Sequence, residues 1–256
     1  MITDGDFMFK NDELKIYRGE DYEIAENIVI HQPTLAEICD YGEQKYYSMI
    51  YQLTATPQSM KYQLWEVGID YTKITPFELF YSMIYKLYPV EETKIIFGNL
   101  DFQKFKVAED INYDNNPIVL YQIDNDGNEI MINEVIYESI MDYLRDTHLI
   151  EKDEKIPGNE STKMILIEDA KDEYLKNKSS EYHSRLKNLI SSMVNSEGFK
   201  YNHTQVWSMK INAFMDSVKR ISKIKNAYLL LQSGYSGFGI TLKDIDKKQL
   251  DWLGEL

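Results

Sequence analysis

The chain has 256 residues, 43% hydrophobic and 27% charged, enough to bury one large core or two modest ones and too apolar to be disordered throughout. Its formal charge of −14 repels phosphate and so disfavours general binding to nucleic acid or to an anionic membrane surface. Cys39 is the single cysteine, which excludes an internal disulfide and a thiolate metal cage.

The N-terminal residues Met1-Ile-Thr-Asp-Gly-Asp6 have no basic stretch followed by an apolar one. No run reaches the roughly 18 apolar residues of a spanning helix. With an unpaired cysteine, this points to the cytoplasm and makes the acceptor-like triplets at Asn159 and Asn202 coincidental. Residues 22–32 alternate loosely and predict one strand, stopped by Pro33. Thr34 and Glu37 form a capping box that opens a helix running to about residue 53, with Ile38, Tyr41, Met49 and Leu53 for its inner face. Thr75, Pro76 and Glu78 repeat the signal with proline at the first helical position, and that helix ends before Pro89.

Residues 93–132 read as sheet. Thr93–Phe97 and Gln103–Val107 are two expected strands, and Ile118–Ile123 and Glu129–Ile132 are two more around the turn 124–128. A helix is expected from Asn133 to about Arg145. Charged residues 151–155, followed after Ile156 by Pro157-Gly158, mark a boundary, beyond which the chain reads as nearly all helix. One long helix is expected over 161–195 and another over 204–231, where Trp207, Ile211, Phe214, Val218 and Ile221 alternate by four and three. The glycines at 234–239 break that pattern, and Thr241 opens a last short segment ending near Trp252. The expected fold class is α+β, with a mixed domain at 1–154 holding a small antiparallel sheet and a helical domain at 155–256.

The side chains do not assemble an active site, and no catalytic, metal-binding or cofactor-binding residue is assigned. His31, His148, His183 and His203 sit on different elements without the spacing of a helical metal site. Glu168, Asp169, Asp172 and Glu173 form an acidic face that reads as solvated, near Lys163, Lys171 and Lys176. Aligned as a calcium loop, 124–128 puts Gln122 and Asn133 where carboxylates are needed, so it is a turn. The glycines at 234–239 follow a helix and lack the lysine of a phosphate loop. Residues 200–256 carry nine Lys/Arg against five acids, a surplus of four, which leaves −18 on residues 1–199. Opposite signs favour docking of the two segments on each other or in a homo-oligomer, unless the distribution is chance. The basic run Lys219–Lys225 reads as a solvated face before it reads as a nucleic-acid contact. Twenty tyrosines and 11 methionines supply large adaptable apolar groups, suited to gripping amphipathic helices or to filling a core.

Several stretches resemble proteins of the tail-morphogenesis region of phages of low-GC Gram-positive bacteria: Ser59–Asp70 with Phe77–Phe80, Asn212–Ile221, Gly234–Gly237 and Leu250–Gly254. The best-defined family among them is the tail assembly chaperones. That resemblance implies a non-catalytic protein without cofactors, which coats the helical tape measure protein before tail-tube subunits polymerise. Its partner would be the tape measure or tail-tube protein, and Trp207, Ile211, Phe214, Val218 and Ile221 are the candidate contacts, some of them exposed in the free protein. The rival readings are a structural virion protein of the tail or connector and a metal-dependent enzyme using the acidic helix.

Overall fold

The computed structural model describes residues 13–111, 115–236 and 245–254. Helix α1 (Glu13–Arg18) leads into a hairpin of β1 (Tyr22–Ala25) and β2 (Ile28–Ile30). The single strand expected over 22–32 is therefore corrected to two. Asn27 turns the chain at φ 62°, a left-handed conformation that asparagine tolerates, so the hydrophobic run folds back on itself.

Both capping boxes are present. Thr34 N donates to Glu37 Oε2 (2.7 Å) and Glu37 N donates back to Thr34 Oγ1 (3.2 Å). Thr75 and Glu78 do the same at 2.7 and 3.1 Å. The first box opens α2 (Leu35–Tyr41), and Gly42 at φ 100° then ends it, so the expected single helix is two, α2 and α3 (Glu43–Leu53). A short α4 (Lys61–Glu66) follows. The second box opens α5 (Pro76–Leu79), which widens into a π turn over Phe80–Ile84.

Residues Val90–Phe97 form helix α6, where Thr93–Phe97 was expected to be a strand. The β-branched composition misleads there. Pro89 precedes the first turn, Glu91 and Glu92 favour its positive end, and Thr93, Ile96 and Phe97 are buried at helical spacing. The expected strand Gln103–Val107 is likewise displaced: Phe102–Lys104 is a 3₁₀ turn, and β3 spans Lys106–Glu109. Strands β4 (Ile118–Ile123) and β5 (Glu129–Ile132) complete a three-stranded antiparallel sheet in the order β3-β4-β5. The turn between them is held by Asp124, whose carboxylate accepts from the backbone of Asp126 and Asn128, with Gly127 at φ 86°.

Helix α7 (Glu134–His148) is capped by Asn133, which accepts from Ile136 N at 2.9 Å. It packs against β1, β5 and α5 and is the hub of the core. The helix expected over 161–195 is divided into α8 (Glu160–Ser179) and α9 (Arg185–Val194). Ser184 caps α9, and Glu43 of α3 reaches its free amides, accepting from Arg185 N (2.9 Å) and Leu186 N (2.8 Å). The last long helix, α10, spans Ile211–Tyr235 after a 3₁₀ turn at Val206–Ser208, and α11 spans Lys247–Leu250. The expected break at Ser233-Gly234 is overridden, because the helix continues to Tyr235. The glycines at 237 and 239 and the start at Thr241 lie outside the described residues.

The class is α+β, with two small antiparallel sheets in the N-terminal half and a helical C-terminal region. Ile24, Leu35, Tyr46, Leu120, Ile140, Ile190 and Phe214 all belong to one contiguous buried cluster, which draws side chains from both sides of residue 154. Among the described residues, no helix is long and apolar enough to cross a membrane.

Candidate partner-binding site

Helix α10 is anchored at its start and exposes several apolar side chains toward its end. At the start, Leu35 N donates to Met209 O (3.0 Å) and Ile211 N donates to Pro33 O (2.9 Å), a short antiparallel bridge between segments far apart in sequence. The stem of Lys210 lies over Gly19, whose φ of 73° and lack of a Cβ admit it; an added Cβ would clash with Lys210 Cγ. Asn212 Nδ2 donates to Ile16 O at 3.3 Å. Partial burial, then the Asp216 carboxylate, raise the Tyr17 phenol above its ordinary pKa on the neighbouring α1.

The five residues expected to contact a partner divide accordingly. Ile211 and Phe214 are fully buried and reach another molecule only if α10 leaves the body. Val218, Ile221 and Trp207 are partly buried against the core, and Trp207 meets His203 edge to face at 6.2 Å. The four-three alternation does not stop at Ile221. It runs on through Lys225, Tyr228, Gln232 and Tyr235, a 3.5-residue period over the whole helix. Past Lys225 one side of the helix is exposed: Tyr228 is 61% exposed, Leu229 65% and Tyr235 77%. Residues 226–236 carry no charge at all. An uncharged, aromatic helix end facing water is the kind of surface that marks an interaction site. Sequence reading stopped short of it because Lys225 interrupts the apolar positions and Ser233-Gly234 resembles a helix end.

The basic residues of α10 are largely spent inside the chain. Arg220 donates to the carbonyls of Trp252 (2.7 Å) and Gly254 (2.8 Å), and Lys223 to Gly254 O (3.2 Å). Lys225 donates to Ser196 Oγ at the end of α9 (3.0 Å). Lys219 and Lys225 stay exposed, as expected of a solvated basic face, while Arg220 and Lys223 turn back onto the chain. They fasten the closing turn to one side of α10, where Ala227 is buried, and Trp252 and Leu253 remain exposed nearby.

The other sequence candidates stay apart. His31 pairs with Asp21 at 2.8 Å, His148 is buried in α7, His183 is exposed, and His203 lies beside Trp207. The acidic residues of α8 from Glu168 to Glu173 are exposed. Among the described residues, no group of three His, Cys, Asp or Glu side chains is placed to hold a metal ion. Cys39 is exposed and unpaired.

No curated protein and no solved structure matches the chain. Residues 176–256, which include α9 and all of α10, match the family described as the YomV second domain, so the C-terminal third of the chain is similar to a phage-associated domain family.

Proposed function

We propose that the chain is a non-catalytic phage morphogenesis protein, a tail assembly chaperone that covers apolar stripes of the tape measure protein through the distal half of α10. The observation that carries this reading is the uncharged surface of Tyr228, Leu229 and Tyr235, presented on a helix whose root is tied into the core. It falls inside the stretch similar to a phage-associated domain. A helix of period 3.5 with polar Lys225 and Gln232 among its apolar positions is suited to pairing with a second amphipathic helix in one register. Burial of two tyrosines and a leucine contributes on the order of 5 kcal/mol, enough for a reversible complex once ordering costs are met.

The test is co-expression with the product of the adjacent gene that has the longest predicted helix, followed by co-purification. The reading expects a complex that survives size exclusion and is lost in a Tyr228→Asp/Leu229→Asp variant of normal stability. Absence of a complex with the wild-type chain would remove the chaperone role. Stoichiometric recovery of the chain in purified particles would assign it instead to the virion.

A further inference from the structure

A second site lies away from α10. A cleft of about 560 Å³ opens between the β1–β2 hairpin, the end of α6 and the β4–β5 turn, within the size range of small-ligand pockets. Its floor is apolar, built from Val29, Phe97, Leu100 and Ile130. At one end the His31 ring closes over Gly98, where an added Cβ would stand 3.0 Å from His31 Nε2.

The polar lining is unbalanced. Asp101, Asp124 and Asp126 face a single ammonium, Lys104, whose Nζ is engaged with Asn125 Oδ1 at 3.1 Å. Asp124 is consumed by its own turn. Asp101 gives one oxygen to Gln103 N at 3.0 Å and keeps the other, and neither Asp101 nor Asp126 has an ion pair among the described residues. The independent sign of a ligand is Gln122 on β4. It lines the cleft, is 5% exposed, and its amide Nε2 has no hydrogen-bond partner. A buried amide donor left unpaired is costly, and a bound acceptor would relieve it. The carboxylates are not grouped as a metal ion requires.

We propose that this cleft binds an arginine-like group: a guanidinium for the Asp101 and Asp126 carboxylates, an aliphatic stem for the apolar floor, and a neighbouring carbonyl or carboxylate for Gln122. Guanidinium suits the site because its planar set of donors can satisfy several acceptors at once. The carbonyl can come from a peptide or from the free amino acid.

Titration calorimetry of the full chain with L-arginine, with an acetyl-Gly-Arg-Gly-amide peptide and with L-citrulline tests this directly. At least one arginine ligand should bind saturably, and citrulline, the neutral isostere, should bind about tenfold more weakly or worse. Asp101→Asn/Asp126→Asn should lose a similar factor. Gln122→Leu should weaken binding about fivefold without lowering the thermal midpoint, since it removes an unpaired amide. Tighter binding of the peptide assigns the site to a protein segment; tighter binding of arginine assigns it to the free amino acid. Equal affinity for citrulline, unchanged affinity in the aspartate double variant, or no saturable binding of either arginine ligand would overturn the proposal.

Discussion

His148 shows how a single buried side chain makes stability depend on pH. Its Nδ1 donates to Leu144 O at 2.7 Å, which leaves Nε2 to accept from Tyr46 Oη at 2.6 Å, and the neutral ring satisfies both. Complete burial lowers its pKa to about 4, against an ordinary value of 6.5. Between those values the unfolded chain binds a proton that the folded one refuses. Stability from this residue is therefore complete above pH 6.5 and falls as pH drops, by up to about 3 kcal/mol near pH 4. Urea unfolding at pH 7 and pH 4.5 should show the loss, and His148→Phe should have the shallower pH dependence. Equal slopes in the two proteins would refute the assignment. Gly19 offers a second test, because its positive φ and the overlying Lys210 both resist a side chain. Gly19→Ala should cost about 1–3 kcal/mol in the same assay, and a neutral result would mean that Lys210 swings away freely.

At the scale of elements, the legible parts were those with local cap or turn chemistry. The Thr34 and Thr75 boxes and the 124–128 turn need only neighbours in sequence. Where a tertiary contact decides, the sequence misleads. Thr93–Phe97 has strand-like composition, but Pro89 and the burial of Ile96 and Phe97 hold it as helix. The start of α9 is held in part by Glu43, more than 140 residues away, which accepts from the amides of Arg185 and Leu186. The cleft beside Gln122 was invisible because residues 27–31, 97–104 and 122–130 meet only in the folded chain. Glu43→Gln should speed hydrogen exchange at Arg185 and Leu186 and leave α7 unchanged; unaltered exchange at α9 would show that Ser184 alone holds the cap. Helix α8 is pinned in a similar way by Lys163, whose ammonium meets Asp70 at 2.8 Å. Hydrogen bonds from Lys163, then from Thr72, lower the Asp70 carboxyl to about 2. That tie is intact above pH 4 and is lost as pH falls toward 2. Acid should therefore release α8, measurable as faster exchange over Glu160–Ile167 relative to α7, with Lys163→Met already released at pH 7.

For the whole molecule, one buried cluster holds the root of α10 while the far end of the same seam stays in water. On the proposed reading, this division separates folding from recognition within a single helix. Phe214→Ala should cost about 3–5 kcal/mol, because it opens a cavity in the core. Tyr228→Asp and Leu229→Asp should change stability by no more than about 0.5 kcal/mol, because they touch exposed positions. The most direct measurement is hydrogen exchange across α10 in the free chain and in its complex with the adjacent long-helix protein. Recognition through the distal seam predicts strong new protection over residues 226–235 on complex formation. A stable complex that leaves those amides exchanging as in the free chain would contradict it.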